Sequence, residues 1–568
     1  MSNQLHLLQK HFDTALESPN GIKKLRELIL TLAMQGKLVK QDPNDQPASE
    51  LLKEIQAEKE RLMKEGKIKK QKELPPINPE EVPYAVPEGW VWTRLGNAML
   101  KITDGTHHSP INTETGDFLY ISAKNIKDAG VQLSNATFVA TEVHEEIYSR
   151  CDPEFGNILY IKDGATTGVA TINNLKEPFS MLSSVALLKQ PFEVYNRFLL
   201  FVLRSPYFYS EMRAGMTGVA ITRVTLTKLQ DAIFPLPPFL EQKRIVAKID
   251  ELMSLCDKLE AQRKARNDKR LAVHTAAINN LLTASDKNEF HTSWEFVTRH
   301  FDPLYSVKEN VAELKKAILT LAMQGKLVKQ DPNDQPAREL LKEIQAEKER
   351  LIKEGKIKKQ KELPPIKPEE MPYAVPEGWI WSIFGNIATI ERGGSPRPIN
   401  LFITDNDNGL NWIKIGDTEK GGKYITSTKE KIRPEGLVKT RMVYPGDFLL
   451  TNSMSFGRPY ITKIEGCIHD GWLRISPPIS LDKDFLYNLL SSNFISNFFS
   501  LSASGAVVQN LNSEKVREVP IPLPPLAEQK RIVAKIDELM SLCNKLENQI
   551  EQATAKQTAL FDAVLAKV

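Results

Sequence analysis

Hydrophobic positions recur at alternating steps of four and three residues in two long stretches of the chain. The first stretch carries them at Ile245, Ile249, Leu252, Cys256 and Leu259. The second carries them at Ile532, Ile536, Leu539, Cys543, Leu546 and Ile550. This period places the apolar side chains on one face of a helix, where they need a partner helix. We therefore predict two long helices. The second runs from Glu528 to Leu565, whereas the first loses its apolar face between 263 and 270.

Shorter patterns predict helices and strands elsewhere. Residues 25–32 predict an amphipathic helix that ends near Gly36, and residues 51–62 predict another after the turn sequence "QDPNDQP". Short β-type runs bounded by Gly, Asp or Asn are "DFLYIS", "NILYIKDG", "SSVALLK" and "GLNWIKIG". These runs fall in two segments of nearly equal length, which we predict to be mixed β-rich domains.

Two blocks of sequence occur twice. Residues 30–90, from "LTLAMQGKLVKQDPNDQPA" to "PYAVPEGW", recur at 319–379. The block "PLPPFLEQKRIVAKIDELMSLC" at 235–256 recurs at 522–543 as "PLPPLAEQKRIVAKIDELMSLC". The period is too long and the copies are too few for a solenoid. We predict an internal pseudo-dimer with a two-fold axis, in which one repeated frame carries two different inserts.

Composition narrows the picture only slightly. A chain of 568 residues can build several domains, and a net charge of +4 does not by itself indicate a nucleic-acid partner. Basic residues cluster locally in "GKIKKQK" at 66–72 and 355–361 and again at 263–270, as binding surfaces or as solvated helix faces. The four cysteines have no C-x-x-C spacing, so we expect buried, reduced thiols. No apolar run approaches about 18 residues and no secretory signal opens the sequence, which predicts a soluble, cytoplasmic protein.

Motifs for catalysis are missing from the sequence. It contains no phosphate-binding or dinucleotide-binding glycine motif, no H-E-x-x-H and no Cys/His cluster with zinc spacing. The tetrapeptide "LPPF" begins with Leu, unlike the motif of adenine methyltransferases. His107 and His108 are adjacent in "DGTHHSP", a pattern more typical of surface hydrogen bonding than of a metal site. We predict a non-catalytic chain.

The order of the blocks resembles the specificity subunit of type I restriction-modification enzymes. The twin "EQKRIV" sequences and the paired "VPEGW" sequences carry the resemblance over essentially the whole chain. Inside the variable segments "KITDGTHHSP", "YISAKNI" and "YIKDGATTG", then "IERGGSPRP", "WIKIGD" and "LLTNSMSFG", resemble that family's target recognition domains. The resemblance implies an α+β fold with two mixed β-rich target recognition domains joined by long antiparallel coiled-coil helices.

The resemblance also implies boundaries for these parts. They are an N-terminal helical conserved block at 1–92, target recognition domain 1 at 93–233, a central conserved coiled-coil helix at 234–282, a linker at 283–318, a repeated helical block at 319–381, target recognition domain 2 at 382–520 and a C-terminal conserved coiled-coil helix at 521–568.

The implied function is DNA sequence recognition. Each recognition domain reads one half of an asymmetric bipartite target in double-stranded DNA, and the helical stalk sets the spacer and docks the partner subunits. Those partners are two modification (methyltransferase) subunits that bind S-adenosylmethionine and restriction subunits that use ATP and Mg²⁺, so this chain holds no cofactor and no metal. Two alternatives remain open: a fused enzyme with its own methyltransferase or endonuclease site, and a coiled-coil scaffold that does not bind DNA.

Base edges are read by side chains with paired donors and acceptors, which loops between short strands can present. In the first domain the candidates are His107, His108, Lys124, Asn125, Thr166, Thr167 and Arg223. In the second domain they are Arg397, Lys414, Asp417, Ser453, Ser455, Arg458, Gln509 and Asn510. An ordinary surface or turn role is the alternative for each. The tryptophans at 90, 92, 379 and 381 are predicted to pack at the start of each domain rather than to stack on bases.

Overall fold

The computed structural model describes residues 18–70, 72–214, 223–360, 363–419, 421–452, 457–503 and 511–565. These residues form two compact units. Unit 1 contains the described residues up to Ala265 and those from Thr554 onward, and unit 2 contains Arg266–Ala553. Both units contain helices and strands. The predicted α+β fold class is confirmed.

Unit 1 begins with two helices of the repeated block and continues into a β-rich insert. Its α-helices are Gly21–Met34, Ala48–Lys64, Leu95–Ala98, Thr141–Arg150, Asn196–Arg204, Pro206–Arg213, Leu226–Asp231, the first part of Phe239–Thr283 and the last part of Leu526–Leu565, with 3-10 helices at Pro79–Glu81 and Ala123–Asn125. Its strands are Val91–Arg94, Lys101–Asp104, Phe118–Ile121, Ile126–Lys127, Gly130–Val131, Thr137–Val139, Ile158–Ile161, Ala170–Ile172, Phe179–Met181, Val185–Lys189 and Ile233–Leu236. The helices predicted from residues 25–32 and 51–62 are confirmed.

Two larger sheets and one short antiparallel pair, Ile126–Lys127 with Gly130–Val131, form the described part of the insert of unit 1. One has four antiparallel strands in the order Lys101–Asp104, Val185–Lys189, Ile158–Ile161, Ala170–Ile172. The other has the order Thr137–Val139, Phe118–Ile121, Phe179–Met181, with the last two strands parallel. Successive side chains of a strand point to opposite faces, so Ile158 packs into the core shared with the repeated frame and Leu159 packs into the core of the insert. Burial on both faces explains the unbroken apolar run "ILYI".

Unit 2 repeats this plan with different strand pairing. Its α-helices are the last part of Phe239–Thr283, Lys287–Arg299, Phe301–Leu304, Lys308–Met323, Ala337–Lys353, Phe384–Ile387, Lys483–Leu490, Asn493–Ala503, Ser513–Arg517 and the first part of Leu526–Leu565, with 3-10 helices at Pro368–Glu370, Ile399–Leu401, Ile415–Asp417 and Pro434–Lys439. One five-stranded sheet has the order Thr389–Arg392, Trp472–Ser476, Phe448–Thr451, Pro459–Thr462, Tyr424–Ile425. The other has the order Ile403–Thr404, Glu430–Ile432, Leu410–Ile413, Gly466–Ile468, Arg441–Val443. The four β-type runs predicted from sequence are confirmed as strands.

An antiparallel two-stranded ribbon closes each insert at its base. Val91–Arg94 pairs with Ile233–Leu236 in unit 1, and Ile380–Ile383 pairs with Pro520–Leu523 in unit 2. Backbone hydrogen bonds hold such a ribbon together, so the pairing does not depend on which insert the two strands enclose. Each unit therefore presents its insert from an equivalent base.

The repeated "EQKR" motif fixes the start of each long helix to the frame. Trp90 Nε1 donates to Glu241 Oε2 at 3.0 Å, Gln41 Nε2 donates to Glu241 Oε1 at 3.1 Å, and Arg244 pairs with Asp45 at 2.5 Å. The same contacts recur in unit 2 among Trp379, Glu528, Gln330, Arg531 and Asp334. Burial raises the pKa of the Glu241 carboxyl, although both hydrogen bonds oppose that shift. Trp90 and Trp379 are buried and pack at the base of an insert, as predicted.

The apolar face of each long helix packs on the helices of the repeated block. In unit 1, Ile22 and Ile29 share one buried cluster with Ile245 and Ile249. In unit 2 the corresponding cluster contains Ile318, Ala322, Ile532 and Ile536. Full burial of one such side chain contributes about 1.5–3 kcal/mol. All four cysteines are buried and free.

The two long helices are Phe239–Thr283 and Leu526–Leu565. The second confirms the predicted helix, and the first continues through 263–270, where its apolar face is interrupted. The segment predicted as a linker, 283–318, contains Lys287–Arg299, whose first turn is capped by Asp286, and the start of Lys308–Met323. The connection between the two copies is therefore helical. Across the described ranges, no helix is both long and apolar enough to cross a bilayer.

Candidate nucleic-acid interface

Several loops converge at one end of the insert in unit 1. The connection at 182–184, which joins two strands, forms hydrogen bonds with three other loops. Its bonds run to Thr106, Ala123 and Lys162, with donor–acceptor distances between 2.8 and 3.3 Å. Each partner belongs to a segment next to predicted base-reading residues. The candidates of the first domain therefore lie on neighbouring loops.

A cluster of charged side chains lies where these loops meet. Asp104 ends its strand and is 1% exposed. Its carboxylate contacts Arg150, lies 3.3 Å from His107 Nε2 and lies 3.4 Å from Lys162 Nζ. Lys162 is also buried, so this carboxylate compensates an ammonium that has little access to water. Asp104 therefore orders the loop that carries His107.

Asp163 extends the cluster to Arg223. Its carboxylate lies 3.1 Å from Lys162 Nζ and accepts a hydrogen bond of 2.8 Å from Arg223 Nε. That hydrogen bond and the negative charge of Asp163 raise the pKa of the Arg223 guanidinium, which stays protonated. The Arg223 side chain is 60% exposed. A guanidinium held in this way keeps further donors directed away from its carboxylate partner.

We expect Asp104→Asn to lower the free energy of unfolding by about 3 kcal/mol, because the buried Lys162 loses one of its two carboxylates. Chemical denaturation of the wild type and the variant measures the difference. Asp128→Asn is the matched control, since Asp128 is 82% exposed and lies 3.6 Å from Arg204. The control change is expected to be below about 0.5 kcal/mol. Equal effects of the two substitutions would contradict a supporting role for Asp104.

The connection 469–471 joins the loops of unit 2 in the same way. Ile415 N donates to the His469 imidazole at 3.2 Å, and Asn452 Nδ2 donates to Asp470 O at 2.8 Å. Ser395 Oγ donates to Asp470 Oδ1 at 2.9 Å. These three partners follow or end strands equivalent to those in unit 1. Both inserts therefore gather the same set of loops.

Asp470 holds Arg397, one of the exposed arginines among the predicted residues. Arg397 Nη2 lies 3.1 Å from Asp470 Oδ2, and the Arg397 side chain is 79% exposed. Burial raises the pKa of Asp470, but hydrogen bonds from Ser395 and Arg397 outweigh it and leave the pKa below its usual value. Burial also lowers the pKa of the neighbouring His469. The carboxylate stays charged and orients Arg397 toward solvent.

Seven predicted residues have exposed side chains that DNA can reach. They are His107, His108, Lys124, Thr166, Arg223, Arg397 and Arg458. Four predicted residues, Ser453, Ser455, Gln509 and Asn510, lie outside the described residues.

Two predicted residues need correction because their side chains are buried and bonded within the protein. Asn125 is 3% exposed, donates from Nδ2 to Gln132 O at 3.1 Å and accepts at Oδ1 from Ser122 N at 3.0 Å. Thr167 is 1% exposed, and its Oγ1 donates to Gly164 O at 2.6 Å. Both hold turns instead of facing a base edge.

Lys414 and Asp417 are half-buried and bonded around one turn. Asp417 Oδ2 accepts from Lys414 N at 2.8 Å, while Lys414 Nζ pairs with Glu430. Their main role in this arrangement is to shape the loop. The predicted base contacts at these two positions remain predictions.

Sequence patterns missed the residues that hold the loops in place. These are Asp104, Arg150, Lys162, Asp163, Ser184 and Asp470. Their contacts join segments far apart in sequence, and no spacing rule brings them together. The available signals were the Asp-Gly pairs Asp104–Gly105 in "KITDGTHHSP" and Asp163–Gly164 in "YIKDGATTG", two motifs already singled out.

A known family matches both copies of the frame with its insert. The model described as "Type I restriction modification DNA specificity domain" matches residues 87–266 and 376–554. The chain belongs to the type I restriction-modification specificity subunits. This confirms the predicted resemblance, and it agrees with the prediction of a non-catalytic DNA-recognition subunit.

Relatives of this specificity subunit match along nearly its whole length. It is 35% identical to the type I restriction enzyme EcoAI specificity subunit of Escherichia coli, over 96% of this chain and 93% of that protein. It is 33% identical to the EcoEI specificity subunit of the same organism, again over 96% and 93%. A crystal structure of the HsdS subunit from Thermoanaerobacter tengcongensis is 18% identical, with a TM-score of 0.41, over 85% of this chain and 98% of that one.

Proposed function

We propose that each insert of this specificity subunit reads one half of a bipartite DNA target. The observation that carries the proposal is one frame that presents two different inserts. The ribbon and the "EQKR" contacts are repeated in both units, whereas the exposed loop residues differ. Donors and acceptors on those loops match different base edges in the major groove. The two half-sites therefore differ, and the target is asymmetric.

The long helices set the spacing between the two half-sites. Support comes from the sequence of the two helices: both carry the same four-and-three spacing of apolar residues, which is the pattern of helices that pair. Half-sites read from one side of the duplex lie roughly one turn apart, at about 34–36 Å between centres.

The repeated frame provides two equivalent docking sites for partner subunits. Two copies of one frame fit two modification subunits, which bind S-adenosylmethionine and flip a target adenine out of the duplex. Restriction subunits that use ATP and Mg²⁺ complete the assembly. This chain contributes recognition of the target, and its partners contribute the chemistry.

Binding by the assembled complex tests the proposal. The specificity subunit with its modification subunits should prefer one asymmetric duplex, and changing either half of that duplex should abolish the preference. Methyl transfer or DNA cleavage by the purified chain alone would favour a fused enzyme. Equal binding of the assembled complex to all duplexes would favour a scaffold that does not recognise DNA.

Arg458→Ala should relax recognition of one half-site only. Arg458 is exposed after Phe448–Thr451, and the backbone N–H of Arg458 donates to Thr451 Oγ1 at 3.0 Å, which fixes where the side chain begins. Loss of one bidentate contact to guanine costs about 1–3 kcal/mol of discrimination. Binding to duplexes in which each base is replaced in turn measures this loss of discrimination. Arg433→Ala is the control, because Arg433 is an exposed arginine of the same insert. Uniform weakening on every duplex would place Arg458 on a phosphate instead.

A further inference from the structure

A basic cleft lies between the repeated block and the insert in unit 1. It has a volume of about 920 Å³ and is lined by residues 66–70 and 72 of the first basic segment, the helix Ala48–Lys64 and the first strand of the four-stranded sheet. Its cationic side chains include Lys59, Lys69, Lys70, Lys72, Lys101 and Arg150. Among its described lining residues Glu73 alone is acidic. Such a cleft attracts anions.

An equivalent cleft of about 520 Å³ occurs in unit 2. The second copy of the basic segment lines it with Lys358 and Lys359, the frame adds Lys348 and Lys353, and the insert adds Arg517. Glu349 is the only carboxylate among the described residues around it. Because the cleft accompanies the frame, it is available beside both inserts.

A lysine at the base of each cleft has unused hydrogen-bonding capacity. Lys59 is 4% exposed, and its Nζ donates to Gly96 O at 2.8 Å. Lys348 Nζ donates to Gly385 O at 2.7 Å. An ammonium has three donors, and carbonyl oxygens do not neutralise its charge. Burial lowers the pKa of both lysines to about 8, so an anion in the cleft would stabilise their charged form.

The rim of the first cleft carries exposed lysines that differ in how far carboxylates compensate their charge. Lys67 pairs with Glu65 and Lys101 pairs with Asp152, each at 2.8 Å. For Lys69, Lys70 and Lys72, in contrast, no ion-pair partner lies among the residues that the structure describes. Their charges remain available for an external ligand.

The first cleft is continuous with the candidate interface. Arg150 lines the cleft and also contacts Asp104, which holds the loop of His107. DNA that presents base edges to this loop carries its phosphates beside it, and phosphate contacts fix register without reading sequence. No aromatic side chain occurs among the described lining residues of either cleft, so neither offers a stacking surface for a free nucleotide.

We propose that the two clefts bind backbone phosphates of the DNA on which the inserts read their half-sites. This inference rests on the proposed function and adds a sequence-independent grip to it. The repeated basic segment then has the same task in both copies of the frame. The inserts supply selectivity, and the clefts supply affinity and register.

The test replaces Lys69, Lys70 and Lys72 by Gln in the specificity subunit assembled with its modification subunits. Binding to the target duplex and to an unrelated duplex is measured over a range of KCl concentrations. Each lost phosphate contact should reduce the slope of log K against log salt by about 1, so the triple variant should lose about 3. Both duplexes should weaken by the same factor, which leaves the preference for the target unchanged.

A second triple variant controls for net charge. Lys23, Lys40 and Lys53 are exposed lysines of the same block that do not line the cleft, and their replacement by Gln should leave the slope unchanged. Lys358→Gln with Lys359→Gln tests the second cleft, with an expected loss of about 2 in the slope. Neutral methylphosphonates can replace the phosphates near one half-site of the duplex. This replacement should weaken DNA binding by the wild-type complex more than DNA binding by one of the two cleft variants.

Three results would overturn the inference. The first is an unchanged salt slope, and the second is an equal change of slope in the control variant. The third is loss of the modification subunits from the complex with DNA binding otherwise unaltered, which would assign the cleft to a protein partner. Failure of the proposed function is recognised separately. In that case the wild-type complex itself shows no preference for any duplex, whatever the cleft variants do.

Discussion

Replacing residues 93–233 by the corresponding segment of a relative with a different target will change one half of the recognised sequence and leave the other half unchanged. The segment begins within the strand Val91–Arg94 and ends at the first residue of Ile233–Leu236, and these strands pair through their backbones, so a foreign insert can occupy the same base. Specific complexes typically bind about 10³–10⁷ times more tightly than non-specific ones. The original target should therefore lose at least about 10³-fold in preference.

The reciprocal exchange of residues 382–520 is the control. It should alter the opposite half-site, because Ile380–Ile383 and Pro520–Leu523 form an equivalent ribbon. Selection of bound duplexes from a randomised library reads both halves at once. A change in both halves after a single exchange would show that the inserts do not read independently.

Adding one heptad to each long helix, after Ala265 and after Ala553, should lengthen the spacer. Seven helical residues add about 10 Å at about 1.5 Å each, which corresponds to about three base pairs at about 3.4 Å. A whole heptad preserves the period of the apolar face, so the two helices can still pair. Binding to the original spacing should be lost and recovered on the longer one.

Insertion into only one of the two helices is the control for this experiment. Two helices of unequal length cannot keep their apolar faces aligned, so that variant should not gain the longer spacing. If the variant with both insertions still recognises the original spacing, the helices do not set the length of the spacer. Selection of bound duplexes from a library with variable spacer lengths measures both outcomes.

Local patterns in the sequence were sufficient to predict the helices and strands of the frame and its inserts. The four-and-three spacing predicted the helix that is found at Leu526–Leu565, and the β-type runs predicted strands such as Ile158–Ile161. The repeat also marked the "EQKR" motif, but only the structure assigned Glu241 to Trp90 and Arg244 to Asp45. Periodicity identifies faces and lengths, whereas these contacts join segments far apart in the chain.

The candidate site was harder to predict because loop geometry decides which polar side chains reach solvent. Asn125 was chosen for its amide, yet that amide is used by Gln132 and Ser122 within its own turn. Asp470, which orients the exposed Arg397, is 73 residues away from it in sequence. Asp104 lies close to His107 in sequence, but only the fold brings it to Arg150 and Lys162. A residue type indicates what a side chain can bind, and only the fold shows whether it is already bound.

Mapping methylated adenines across the genome of cells that carry this specificity subunit with its modification partner tests the central claim most directly. Two unlike readers on one repeated frame predict a single asymmetric motif in two parts, separated by a fixed number of unspecified base pairs. A continuous or palindromic motif, or methylation that does not depend on this chain, would contradict the account.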